Sequence, residues 1–489
     1  MKFTKYLAAC SIALLAFGAT SCSDFLDKEP ENKLPEEEVD YTDVSKMYEP
    51  VSGVYARVRT GAMHWIIWPL SIVRDDDMWS GRKDDQQLLV EFGKFNYDSA
   101  FWGLNETWNQ YYSIIKVANS ALISLDNYVA NTNDESLKAQ YRAYSGEVHF
   151  LRAYAYYRLS QMFGDITILR DNNQKDLTRS TKRLVENYML EDLEYAIENC
   201  QRKNPNEMEH VGAVTVYTAE LLAAKIYMNR GEYDKAETLT NDIISSRKFS
   251  LYPDYYQLFK IPGKLCSESL FECQCTDFGQ STGDMVDADN WFVFQGPGNL
   301  GGWNFIRYET DFYDWAASRG ETVRLTTTFM PGGGTLTPSG DAVTSGSATD
   351  YYNGKAYTPT DQLTPGRTKY GSNNNVRIFR YADVLLINAE AKVRQNKNGD
   401  APFNEVRARA LMPELTDVTV DQILDERRME LAGEWGERYS DLVRTGKAAA
   451  VLGSKGWDAS KTYYPVPFTQ LSNVPELGND PIDTEEPAE

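Results

Sequence analysis

Val148, Leu151, Ala155, Leu159 and Met162 recur at steps of three and four, which draws one apolar stripe along a helix. A second stripe, Phe150, Tyr154 and Tyr157, runs beside it. A helix that is apolar on two faces has to be covered on both sides, so the stretch from Gly146 to Leu169 predicts a central helix. Gly164 supplies the left-handed residue that ends helices, and Asp165 leads into the strand-like Ile166-Thr167-Ile168.

The same periodicity predicts helices over Tyr41–Arg59, Thr107–Tyr128, Ser136–Phe163, Arg183–Asn199 and Ala213–Asn229, with a Thr132 and Glu135 capping box opening the third. Gly231-Glu232-Tyr233-Asp234-Lys235-Ala236 opens another, which runs to Ser246. Gly-x-Tyr-x-x-Ala between amphipathic helices is the turn pattern of a tetratricopeptide repeat, whose hairpins leave a face bare until a neighbour stacks on it. The helical pattern resumes at Tyr381–Leu386 and continues through Phe403–Ala410, Glu426–Leu431 and Glu437–Arg444. The density of Arg and Glu in these segments predicts partly buried ion pairs that are structural, not catalytic.

Between Cys266 and Phe379 there is little helical period, and Met330–Asn375 is rich in Gly, Ser, Thr, Asn and Pro. A structureless loop of that length is rare in a compact domain, so the stretch predicts an irregular second lobe. Phe271–Cys275 alternates like a strand with Cys273 and Cys275 on one face, as free buried thiols or as a disulfide, and Asp289–Phe294 is also strand-like. The expected fold is mainly α: stacked tetratricopeptide-like helical hairpins forming a scaffold, with an irregular, loop-rich second lobe containing short strands.

At the N-terminus Lys2 and Lys5 precede an apolar run from Leu7 to Phe17, and Gly18, Ala19, Thr20 and Ser21 lead to Cys22. This reads as a signal peptide, too short for a membrane span. The polar run to Glu38 reads as a tether. The 489 residues carry a net charge of −21, which argues against a nucleic-acid partner. The 31 tyrosines and 10 tryptophans exceed what a core needs and leave aromatic surface for binding.

Catalytic signatures are missing. His64, His149 and His210 have no zinc-ligand spacing, and there is no Gly-x-Ser-x-Gly elbow or P-loop. Gly296-Pro297-Gly298-Asn299-Leu300-Gly301 matches Gly-x-Gly-x-x-Gly, with Glu321 beyond it, but Pro297 and Gly302 oppose the helix that a dinucleotide site needs. A glycosidase pair cannot be picked out among 71 acidic residues. No cofactor is implied; Asp75-Asp76-Asp77 reads as a solvated loop, with a structural calcium ion as the alternative although the alternating ligands of an EF-hand are absent.

Sugar rings have an apolar C–H face and a rim of hydroxyls, so an exposed indole beside a carboxylate and a guanidinium meets both. Trp79, flanked by Asp77 and Arg82, fits that description, and Trp303 follows a glycine loop that leaves its indole accessible. Trp291 and Tyr308 are further candidates. For each aromatic the alternative is packing within its own loop or lobe. The aromatics of Asp311–Trp315, which opens a short helix, read as core.

Glu147, Phe150-Leu151-Arg152-Ala153, Tyr154, Tyr156 and Phe163-Gly164-Asp165 together resemble the signature helix of SusD/RagB-type outer-membrane lipoproteins. Cys22-Ser23-Asp24-Phe25-Leu26-Asp27-Lys28-Glu29-Pro30 resembles the mature start of that family, and the small residue before Cys22 resembles a lipobox, although Ala19 stands where leucine is usual. Trp108, Tyr111, Ile115 and Asn119, the C-terminal Arg/Glu segments and Tyr464-Pro465-Val466-Pro467 are similar to family motifs in the family's order. The usual Gln-Asn-Pro-Gly-Tyr ending is replaced by Gly478-Asn479-Asp480-Pro481.

The resemblance implies a division into a signal peptide (1–21), a lipidated tether (22–40), an N-terminal helical region (41–265), a ligand-binding lobe (266–379), C-terminal helices with a closing segment (380–478) and an acidic tail (479–489). It implies a protein lipidated at Cys22, anchored to the outer membrane and facing the exterior, which captures an oligosaccharide without breaking bonds. Its partner would be a SusC-like TonB-dependent transporter that it covers as a lid. Peptide capture within the same kind of uptake system, a surface glycoside hydrolase and a pure interaction scaffold are the alternatives.

Overall fold

The computed structural model describes residues 39–81, 84–275, 291–363 and 372–484, so the stretch read as a signal peptide, Cys22, Arg82 and the end of the acidic tail lie outside the described residues. Residues 39–44 form a unit of their own, a turn in which the Asp40 carboxylate accepts the Thr42 N–H and hydroxyl. The rest, from Ser45, is a second unit.

The second unit is built on ten helices: α1 (Glu49–Ala62), α2 (Trp102–Ala130), α3 (Glu135–Phe163), α4 (Lys182–Asn199), α5 (Val216–Arg230), α6 (Tyr233–Ser245), α7 (Tyr381–Arg394), α8 (Asp400–Arg409), α9 (Val420–Glu430) and α10 (Glu437–Arg444). From α1 to α6 each packs on the next, α7 packs on α6, and α8 and α9 on α7. This is the expected stack of helical hairpins. Gly231, at φ 72°, closes α5 and turns the chain into α6, as the repeat pattern requires. The α1 helix starts later than its periodicity suggested, with Pro50 in its first turn. The N-cap of α3 is Asp134, not Thr132: its carboxylate accepts the Ser136 N–H at 2.8 Å.

Both stripes of the central helix α3 are buried, Val148, Leu151, Tyr154 and Leu159 completely. A Cβ on Gly146 would lie 2.8 Å from the Cys200 Sγ, so this glycine lets α4 close on α3. Ile166-Thr167-Ile168 contributes one bridge, Ile166 to Ser180, in place of a strand.

The strands are short: β1 (Met78–Ser80), β2 (Ser269–Cys273), β3 (Ile306–Tyr308), β4 (Phe329–Pro331), β5 (Thr335–Leu336), β6 (Ala342–Val343), β7 (Tyr351–Asn353) and β8 (Val376–Arg380). Antiparallel β2 and β8 pair where the irregular stretch leaves and rejoins the helices. Cys273 and Cys275 are both buried and are not joined to each other. A four-stranded sheet in the order β1-β3-β7-β4 takes its first strand from the loop ahead of α2. Asp289–Phe294 is not a strand where it is described. Trp291 to Phe294 are all buried, without alternation, and wind through a turn in which the Gly296 N–H donates to the Phe292 carbonyl at 2.8 Å. Gly298–Leu300 is one turn of 3-10 helix ended by Gly301, so the glycine pattern builds no dinucleotide site.

The Arg/Glu segments form a buried network. Arg380, at the end of β8, reaches Glu268 at 2.6 Å, Glu430 at 2.9 Å and Glu434 at 2.7 Å. Arg409 joins Glu268 and Glu430, and Arg324 from the irregular stretch joins Glu321 and Glu426 at 2.6 Å. Burial pushes the Glu430 carboxyl up, but Arg409, Arg380 and Arg324 outweigh it and hold it down to about 2.

Two outcomes follow for stability. Glu430 contributes stability above its unfolded value of 4.5, lost as the pH falls through about 2. The urea midpoint should therefore drop across that window, and drop less in Glu430→Gln, which lacks the charge throughout. Leu159→Asp places an uncompensated carboxylate in the core at several kcal/mol, a large share of a domain's total of about 5–15 kcal/mol. Circular dichroism should show no cooperative thermal transition; a normal transition would refute the central-helix assignment.

Candidate functional site

Three separate stretches bring an aromatic face together. His64 and Trp65 lie in the turn after α1, Trp102 opens α2, and Trp303 and Phe305 lead into β3. The Trp65 ring is the hub, with its centroid 5.7 Å from Trp102, 5.4 Å from Trp303 and 5.8 Å from Phe305. Trp102 is 46% exposed, and Trp65, Trp303 and His64 are partly exposed. Trp65 and Trp303 meet edge to face at 89°, so the strip is creased and not flat.

Glycines make the crossings possible. A Cβ on Gly103 would come within 2.6 Å of the Ile66 side chain, so glycine there lets the start of α2 settle against the Trp65 turn. A Cβ on Gly302 would lie 2.1 Å from the Gly296 backbone, and this close crossing sets Trp303, whose N–H donates to the Val293 carbonyl at 2.6 Å.

Polar groups rim the face. The His64 Nδ1 accepts the Ile66 N–H at 3.4 Å, which leaves the proton on Nε2 as a donor. Burial lowers the His64 pKa, against the pull of Glu106, so the ring is neutral at pH 7. Glu106 lies one turn on from Trp102 in α2, and its carboxylate accepts from Gln110.

Trp79 extends the strip. It is 36% exposed in β1, where it pairs with Arg307 of β3, and the Arg307 guanidinium lies 4.4 Å from the indole centroid. Arg307 is also ion-paired with Asp350. Strand alternation puts Phe305 on the same side as Arg307, and the Gly81 N–H donates to the Phe305 carbonyl at 3.2 Å.

The other candidates fall elsewhere. Trp291 and Tyr308 are each 3% exposed: Trp291 packs toward Trp68 at 6.5 Å and Tyr308 against Phe329 at 4.9 Å, so neither offers a face to a ligand. Asp77 is 2% exposed and ion-paired with Arg428 at 2.5 Å, so it serves the fold beneath β1 instead of a ligand beside Trp79. Arg82 lies outside the described residues. The solvated-loop reading of Asp75–Asp77 does not hold. Asp76 binds Arg438 at 2.8 Å and Arg428 at 3.0 Å, while Asp75 caps the Asp77 and Met78 N–H groups at 2.9 Å. Burial, with Asp77 and Asp76 adding to it, pushes the Asp75 carboxyl up to about 8. Among the described residues no group of three or more His, Cys, Asp or Glu is arranged to hold a metal ion. Trp65, Trp102 and His64 were not among the sequence candidates; the signal was an aromatic loop bounded by two tryptophans.

Residues 302–471 match the model of the SusD family, and residues 24–228 match a family model described as starch-binding associating with outer membrane. The chain belongs to the SusD family. A SusD-like protein of Bacteroides ovatus is 26% identical over 470 residues, covering 90% of this chain and 82% of that protein. Among solved structures, a surface glycan-binding protein A from Bacteroides fluxus superposes with a TM-score of 0.74 at 25% identity, covering 88% of this chain and 96% of that one. A surface glycan-binding protein A from Bacteroides thetaiotaomicron, solved in complex with laminarihexaose, gives 0.73 at 25% identity over 88% and 97%. SusD membership puts the chain among binding proteins, not enzymes.

One substitution checks the seat of Trp79. A Cβ on Gly81 would fall 1.4 Å from the Trp79 indole, so Gly81→Ala must displace that ring. Acrylamide quenching of tryptophan fluorescence should rise with the thermal midpoint nearly unchanged, and the rise should vanish in a Trp79→Phe background.

Proposed function

We propose that the protein captures an oligosaccharide at the outer membrane and passes it to a SusC-like TonB-dependent transporter, with lipidated Cys22 as the anchor. The observation that carries the reading is the junction of Trp65, Trp102 and Trp303, partly exposed indoles from three distant stretches held within 6 Å of one hub. Faces of C–H groups stack on the indoles, and the His64 Nε2–H and the Glu106 carboxylate meet the hydroxyl rim. Trp79 with Arg307 offers a further stacking position on the same strip. The creased platform suits a bent or helical chain better than a flat ribbon of sugars. The laminarihexaose bound by the Bacteroides thetaiotaomicron relative supports a glucan among the first ligands to try. Family membership supports the transporter and the membrane anchor. Capture of this kind makes and breaks no bond.

Affinity electrophoresis across a panel of polysaccharides, laminarin included, tests the reading. At least one glycan should retard the protein, and Trp102→Ala or Trp303→Ala should weaken retention about tenfold or more, equivalent to roughly 1.4 kcal/mol. Trp79→Ala should weaken it less. Retention unchanged in all three variants would remove the aromatic face as the site, and release of reducing ends would contradict a purely binding role.

A further inference from the structure

We propose that the cavity between the central helix and the closing segment is a binding site for a small tetrahedral oxyanion of the phosphate or sulfate type. The cavity measures about 150 Å³ and is walled by α3, the Ser71–Arg74 stretch, one side of α10 and Thr462–Tyr463. Arg74, Arg158, Lys182 and Arg444 line it, and no Asp or Glu does, in a chain of net charge −21.

Two of these cations are neutralised. Lys182 is paired with Glu186, and Arg444 with Glu390 and Asp441, each at 2.7 Å. Arg158 and Arg74 are not. Arg158, 4% exposed, donates to the Gln161 side chain at 2.9 Å, the Ser71 hydroxyl at 3.1 Å and the Trp435 carbonyl at 3.2 Å, and its Nε has no partner. Arg74, 3% exposed, donates to the Thr462 carbonyl at 3.1 Å and lies over the Tyr439 and Tyr464 rings, and its Nε is also without a partner. Neither has a carboxylate within ion-pair distance among the described residues.

Neutral oxygens satisfy hydrogen bonds but leave the charge in place. Taking a guanidinium out of water without a counter-charge costs several kcal/mol. Among the described residues, buried Arg152, Arg324, Arg380, Arg409 and Arg427 by contrast all sit on carboxylates. Two buried guanidinium groups without a carboxylate partner line one cavity, and an oxyanion there would supply the missing counter-charge. A bound anion would tie the closing segment to the central helix. The site shares no residue with the aromatic face, so it stands or falls independently of glycan capture.

The test is thermal unfolding of the mature protein in Tris chloride, with sodium phosphate, sulfate or acetate titrated in at constant ionic strength. Phosphate or sulfate should raise the midpoint saturably, by about 2–4 °C, and chloride should not. The rise should disappear in Arg158→Met and in Arg74→Met, and Lys182→Gln, which leaves the buried guanidinium groups in place, should raise the half-saturating concentration several-fold. No saturable rise in the wild-type protein, or an equal rise in the variants that fold, would overturn the proposal. Acetate acting as well as phosphate would overturn the tetrahedral class.

Discussion

The rest of the structure depends on a constraint at the junction of β8 and α7. Arg380 is buried there and has to be neutralised, and its partners come from two distant places in the chain, Glu268 just ahead of β2 and Glu430 with Glu434 at the end of α9. Glu430 in turn holds Arg409 of α8 and faces Arg324 of the irregular stretch, and Glu434 holds Lys355 at 2.8 Å. Losing one member leaves an unpaired buried charge, worth about 3–5 kcal/mol of destabilisation. That asymmetry makes the network a specificity device: a misplaced irregular stretch would strand Lys355 without a counter-charge and leave Arg324 with Glu321 alone. The short strands could not enforce this alone, since β3 and β7 share one registered pair.

Much of the scaffold was legible because helical period is local. The central helix, the repeat turn at Gly231 and the buried ion pairs all follow from residue types three or four apart, or from the high density of Arg and Glu. Strand β1, which the loop composition did not announce, places Met78 and Ser80 inward and the indole outward. What failed was every inference that needed the partner of a residue. Asp75–Asp77 has the composition of a solvated loop, and only Arg428 and Arg438, some 350 positions away, make its burial tolerable. Trp291 lies in Asp289–Phe294, which reads as a strand, yet it is drawn into a core that contains Trp68.

The aromatic face illustrates the same limit from the other side. Trp65, Trp102 and Trp303 share no local pattern, so their meeting is a product of tertiary folding. It depends on Gly103 and on the Gly296–Gly302 crossing, where side chains would hold the backbones apart. Sequence could single out Trp303 as accessible, but not that its neighbours would be Trp65 and Phe305.

The two failures share one physical consequence for binding. Strand β1, which carries Trp79, follows directly on Asp75–Asp77, and that triplet is fixed to α9 and α10 through Arg428 and Arg438. Trp303 is likewise fixed by its backbone bond to Val293. Ordering a side chain on binding costs about 0.5–1.5 kcal/mol, a sizeable fraction of what a stacked ring returns. Because the buried charges already hold these segments, that cost is met during folding and is not charged again when a ligand arrives. The Asp77 carboxylate, first read as a contact for a sugar, therefore acts one step removed: it holds the strand that carries the indole.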